Sequence, residues 1–295
     1  MRDSLLKLIK KTVVAVYSLP YNDGEIDKTL YTEESDFCYK CLSDEDLSEI
    51  IYNSIVEYSF SKNELTYDYN KLHSRALILR LKYNAEASET TRLKYGFYGE
   101  VLLHVFLQVF FQSTTYISRG HFYNPLENSE TKGYDCFHLL ENDGKLELWF
   151  GETKFRISFK DSLEEIIDHI PKAMSPEYLN RNLYAIFDKY DHIEDQNNKL
   201  DKIQKKWMND TEINLMKELQ NEDITLVYPC LVIGDYINTN FDQHIRECIK
   251  IIENKFKPIE TDLKIKLFFI FMPVNSSKDI KKAVLRCIEE KKQLI

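Results

Sequence analysis

Glycine and proline are scarce in this chain, 8 and 7 of 295 residues, which excludes a collagen-like repeat and argues against a disordered, low-complexity polymer. No apolar run approaches the roughly 18 residues that span a bilayer, so no membrane-crossing helix is expected. No G-x-x-x-x-G-K-[ST] loop is present, so the chain should not hydrolyse ATP itself. G-x-S-x-G and paired deaminase-type cysteine motifs are missing too. The first residues, Met1–Lys11, lack the long apolar centre and small-residue cleavage site of a secretory signal. They read as a basic amphipathic surface helix docked by Leu5, Leu6 and Ile9. Without such a signal, the six cysteines are expected to be reduced and the protein cytoplasmic. Cations are in deficit: the net charge is −9. That argues against a chain that coats nucleic acid unaided, because non-specific affinity comes mostly from cations on phosphates. It does not exclude a nuclease, whose metal-holding carboxylates add to the acidity.

What is present is an ordinary globular balance, 43% hydrophobic and 29% charged. Cys38 and Cys41 form a C-x-x-C pair, but no second pair or H-x-x-x-H supplies the other half of a zinc site, so structural packing is favoured. Strand pattern runs over residues 12–18, before a Pro20–Gly24 turn, and a helix capped by Ser43 over 44–60. A helix over 96–112, apolar nearly all round, should be buried, with Glu100 at its polar entrance and Gly96 and Gly99 implying close backbone approach. Residues 158–170 read as a helix capped by Asp161 or Ser162, and 175–222 as a charged helical insert. Residues 224–233 and 265–274 read as buried strands, and a helix from Ser276 or Ser277 closes the chain. The order implies an α/β layer architecture. A division follows: an N-terminal α/β region, 1–90, with a partner-binding role, and a catalytic domain, 91–295, carrying the insert.

The chemistry concentrates in residues 132–160. Tyr134–Leu140 and Leu146–Arg156 read as two strands joined by the turn signal Asn142-Asp143-Gly144. Period two puts Leu146, Leu148, Phe150, Glu152, Lys154 and Arg156 on one face. A core-facing row that turns acidic and then basic needs partners, a metal or solvent. A two-residue Asp143-Gly144 loop places Asp135 opposite Glu152, with Cβ atoms about 5 Å apart. Two carboxylates so close suit Mg²⁺, or Mn²⁺ as an alternative, which takes oxygen ligands. Asp135 and Glu152 would hold the ion, with the Thr153 carbonyl as a further donor. Lys154 would position or deprotonate a water, and Glu100 would add a ligand. His138 falls on the opposite strand face. His104, at i+4 from Glu100, reads as a buried hydrogen-bonded histidine. Arg156 and Lys160 could meet phosphates. Lys199, Lys202, Lys205, Lys206 and Trp207 could touch DNA, although a solvated helix face with acidic neighbours explains them better.

The run Lys132-Gly133-Tyr134-Asp135, with Gly151-Glu152-Thr153-Lys154 seventeen positions later, resembles the D…ExK core of the PD-(D/E)xK nucleases. Gly96-Phe97-Tyr98-Gly99-Glu100 resembles the acidic helix preceding that core; Tyr134 replaces the proline of the motif. Gly-Tyr-Asp-x-x-His followed by Trp-x-Gly-Glu-x-Lys-Phe-Arg is more closely similar to the HamA family, the nuclease subunits of Hachiman anti-phage defence. The likeness is specific over about residues 92–170 and general elsewhere. It implies a restriction-endonuclease-like core, a mixed central sheet flanked by helices, with an N-terminal extension and a helical insert. It also implies a superfamily 2 helicase partner, HamB, and DNA as the target. Three functions stay open: a metal-dependent DNA endonuclease acting beside a helicase; a nuclease-fold subunit that regulates a helicase with little or no cleavage; and a stand-alone restriction enzyme, for which no base-reading element is visible.

Overall fold

The computed structural model describes residues 1–21, 26–27, 32–66, 68–127, 129–130, 133–189, 198–210, 212–236 and 240–292. Most of the expected Pro20–Gly24 turn, and Lys132, lie outside them. Helix α1 (Asp3–Thr12) buries Leu5 and Ile9, while Leu6 is only partly covered. It leads into β1 (Val13–Leu19) and β2 (Asp36–Cys41). Helix α2 (Asp44–Ser59) starts at Ser43, whose hydroxyl accepts from the Asp46 N–H, satisfying one of the orphan donors of a helix start. Helices α3 (Tyr69–Leu79), α4 (Glu89–Arg92) and α5 (Phe97–Val109) follow, then the short strands β3 (Thr114–Thr115), β4 (Tyr123–Asn124) and β5 (Ser129–Glu130). The long hairpin comes next, β6 (Cys136–Asn142) and β7 (Lys145–Phe155). Helices α6 (Phe159–Ala173), α7 (Pro176–Phe187), α8 (Asn198–Asn209) and α9 (Leu215–Asn221) precede β8 (Ile224–Asp235). Helix α10 (Phe241–Lys255), β9 (Ile265–Val274) and α11 (Ser277–Lys292) complete the chain.

Seven strands form one mixed sheet in the order β1-β2-β9-β8-β7-β6-β3. β7, β8, β9 and β2 run parallel; β1, β6 and β3 pair antiparallel to their neighbours. The central strands are buried on both faces, so β8 and β9 are apolar through their middles rather than alternating, with Thr225, Asp235 and Lys266 near the ends. One face carries α1, α2, α5 and α11, packed through Ile50, Ile55, Leu102 and Val284. The other carries α6 to α10, packed through Leu163, Leu183, Leu219 and Ile249. The expected α/β class and mixed sheet flanked by helices are present. The helical insert lies inside the connection between parallel strands β7 and β8. Helix α10 went unread in the sequence, although parallel strands require such a crossover. Region 1–90 gives two strands to the same sheet as region 91–295, through the β2–β9 pairing. Cys38 and Cys41 are three positions apart and face opposite sides of the sheet, one in each core. They pack as small hydrophobes.

Candidate functional site at the end of the central hairpin

The hairpin forms as its turn residues dictate. Asp143 and Gly144 both take positive φ, 50° and 74°, the requirement of a type I′ turn. The loop is two residues long, and the register runs from Asn142↔Lys145 to Cys136↔Gly151. Asp135 departs from the expected pairing. The regular ladder stops one residue short of it, and its N–H donates to the Gly151 carbonyl at 2.9 Å. Its Oδ2 accepts from the Thr153 N–H at 2.8 Å. The carboxylate is therefore fixed by the backbone of β7 instead of standing in a cross-strand pair with Glu152.

The charged row on β7 faces α6, as period two requires. Glu152 is buried; its Oε1 accepts from Lys154 Nζ at 2.5 Å, and its Oε2 stands 3.5 Å from His169 Nδ1. Lys154 also lies 3.5 Å from Glu165, which pairs in turn with Arg156. Burial pushes the Glu152 carboxyl up, but the His169 imidazole and the Lys154 ammonium outweigh it and hold the group below the ordinary carboxylate range. Burial likewise opposes the Lys154 charge, and Glu152 and Asp135 restore it, leaving the amine above its ordinary value.

On the other side of the same strand end the balance reverses. Glu100 sits in the first turn of α5 and accepts a hydrogen bond from the Tyr58 hydroxyl. Burial, reinforced by Glu130 and opposed by Arg119, pushes its carboxyl up to about 7. Burial, then the charges of Glu152 and Glu100, lift Asp135 well above the ordinary range. The buried Arg119 guanidinium stays charged: desolvation is outweighed by Tyr58, Glu100, Glu130 and Asp135. Both α5 glycines permit this geometry. A Cβ on Gly99 would lie 3.0 Å from Thr153 Oγ1, so glycine there lets α5 sit this close to β7, and one on Gly96 would lie 2.6 Å from Glu100 Oε1 and push that carboxylate aside.

Asp135, Glu100 and Thr153 line a cleft of about 700 Å³, shared with Lys154, Arg156 and the start of α11. Its oxygen donors are of the type a hard divalent cation takes. Among the described residues no three His, Cys, Asp or Glu side chains converge as a ready-made cation cage, since Glu152 is turned towards Lys154 and His169. Mg²⁺ is commonly held by one or two carboxylates with waters and substrate phosphate completing its shell, so such an ion does not require a cage of three side chains.

The remaining expected residues fall elsewhere. His138 packs away from the site against α5, its Nε2 3.1 Å from His104 Nδ1 and its Nδ1 3.0 Å from Ser113 Oγ. Burial lowers the basicity of both rings, His104 to about 3. Lys160 pairs loosely with Glu164 at 3.9 Å. Lys202 and Lys206 pair with Glu222 and Glu218, the Lys199 ammonium donates to the Glu222 carbonyl, and Trp207 stacks on Tyr184. That segment holds the insert together. The α6 cap is Ser158, which accepts from the Asp161 N–H, and not Asp161 or Ser162, because the helix starts at Phe159, one turn before Leu163, and buries Phe159 as well. Sequence reasoning missed Tyr58, Arg119, His169 and Lys281. Only His169 had a local signal: it follows Glu165 at i+4, on the flank of the apolar stripe of α6.

No curated protein matches the chain. The family model described as HamA matches residues 8–288. That span takes in β1 through most of α11, including every site residue described above. The chain therefore belongs to the HamA family of Hachiman defence proteins.

Proposed function

We propose that this protein is a metal-dependent DNA endonuclease, the effector of a defence complex that acts with a helicase subunit. The observation that carries the reading is the set Asp135, Glu152 and Lys154 at one strand end, where Asp135 and Lys154 line a cleft and Glu152 is held beside it by Lys154 and His169. In this reading Asp135, Glu152 and the Thr153 carbonyl hold Mg²⁺ or Mn²⁺, with Glu100 reaching it directly or through water. The ion would supply charge to neutralise the scissile phosphate and acidify a water. Asp135 is aimed by the Thr153 N–H, so its position survives loss of the ion. Lys154 orients the attacking water and stabilises charge developing on phosphate oxygens. Glu152 has to turn from His169 and Lys154 towards the cleft, and its exchange of partners frees the lysine for the substrate. Burial raises the Glu100 and Asp135 carboxyls, so a cation placed beside them would be electrostatically favoured. Region 1–90, together with the insert, is our assignment for helicase contact.

One observation favours a second reading, a regulatory subunit with little cleavage: Glu152 is already neutralised within the chain. Supercoiled plasmid cleavage separates the two. The native chain with Mg²⁺, alone or co-expressed with its helicase, should nick and linearise, and Lys154→Ala should not. Absence of cleavage by the native chain in both settings would establish the regulatory reading.

A further inference from the structure

We propose that the cleft beside Asp135 seats one strand of a nucleic acid and that helix α11 is its phosphate-binding wall, through Lys278, Lys281 and Lys282. This rests on the nuclease reading of the same site and adds the form of the substrate and the residues that grip it. The cleft inverts the charge of the molecule. Six of its lining residues are cationic, Lys94, Lys154, Arg156, Lys278, Lys281 and Lys282, against three acids, Glu89, Glu100 and Asp135, in a chain of net charge −9.

The wall is built into the fold. Lys281 is buried, 8% exposed, and a buried ammonium is costly unless satisfied. Its Nζ donates to the carbonyls of Phe155 at 2.6 Å and Leu93 at 3.3 Å, and stands over the rings of Phe155 and Tyr98. Among the described residues no carboxylate lies within ion-pair distance of it, so its charge is held in place yet not cancelled. Ser277, one turn earlier on the same flank, is 1% exposed, and its hydroxyl lines the cleft without a hydrogen-bond partner. Lys278 is exposed, and Lys282 makes a surface pair with Glu89 at 3.5 Å, a contact weak enough to be exchanged for a phosphate. All four residues lie in the first turns of a helix, where the dipole also favours an anion.

Size selects the ligand. At about 700 Å³ the cleft has the dimensions of a small-molecule pocket. It has room for a short stretch of one strand. Tyr95, half-buried and also lining the cleft, offers a ring on which a base of any identity can stack.

The test is binding of a fluorescein-labelled single-stranded oligodeoxynucleotide to the intact chain without divalent metal, followed by anisotropy over a salt series. The native chain should bind. Lys278→Glu with Lys282→Glu should weaken binding at least about ten-fold and lower the salt slope by about 1.4, since each phosphate contact on a single strand contributes about 0.7. The same charge change on α8, Lys202→Glu with Lys205→Glu, should leave both quantities as in the native chain, and duplex of equal length should compete poorly. No binding by the native chain, equal loss in the two variants, or equal competition by duplex would overturn the proposal. Because the assay contains no metal, its outcome is separate from that of cleavage. A native chain that cuts while the α11 variant binds normally defeats this inference alone; normal α11 dependence with no cutting defeats the nuclease reading alone.

Discussion

The two sides of the β7 strand end hold similar carboxylates in opposite states. Towards α6, Glu152 is matched by Lys154 and His169 and held below the ordinary carboxylate range. Towards the cleft, burial pushes both carboxyls up, helped at Asp135 by the charges of Glu152 and Glu100 and at Glu100 by that of Glu130, although a buried arginine stands near. Three acids at one place would be a liability if all were structural. Compensating one and leaving two in excess is the arrangement expected of a site that receives a cation.

The largest effect that could break this comparison concerns isosteric substitutions. Asp135→Asn and Glu152→Gln should both reduce cleavage to background. Their effects on stability without metal should differ in sign. Glu152→Gln removes the nearest partner of Lys154, leaving it Glu165 at 3.5 Å, and should destabilise by about 1–3 kcal/mol, whereas Asp135→Asn relieves repulsion and should stabilise. Urea unfolding near neutral pH reads both; the same sign for the two would remove the distinction between the sides.

The pH dependence is next in size. A carboxyl whose folded pKa is raised binds more protons folded than unfolded between its ordinary value and the raised one, so stability falls as pH rises through that window. For Glu100 the window runs from 4.5 to about 7. The metal-free chain should lose up to a few kcal/mol there, at about 1.4 kcal/mol per pKa unit. Glu100→Gln should flatten the slope, as should saturating Mg²⁺; urea midpoints across the range check this.

Packing gives a smaller effect. Gly99→Ala forces a Cβ to within 3.0 Å of Thr153 Oγ1 and should cost about 1–3 kcal/mol by urea unfolding, with impaired cleavage because the Thr153 N–H aims Asp135. Smallest is Glu165→Ala. Glu165 is 44% exposed on its side chain, so losing its pairs with Lys154 and Arg156 should change stability by less than about 1 kcal/mol.

What could be read in the sequence follows the range of the interactions. The Asp143-Gly144 turn and the alternation along β7 are local, so the hairpin register and the face shared by Glu152 and Lys154 were legible. The break in the ladder at Asp135 was not, because it depends on the Thr153 amide capturing the carboxylate. Tyr58, Arg119 and Lys281 reach the site from α2, the segment before β4, and α11, and nothing near them in sequence marks their destination. Helix α10 carried a signal that went unread: Asn240 as cap, then Ile245, Cys248, Ile249 and Ile252 at helical spacing.

The most direct test is a Mn²⁺ titration followed by electron paramagnetic resonance near neutral pH, on the native chain, Asp135→Asn and Glu152→Gln. One ion should bind per native chain, with binding lost or strongly weakened in both variants. Native binding that persists unchanged in both variants, or a native chain that takes up no ion, would contradict a metal centre at the end of β7.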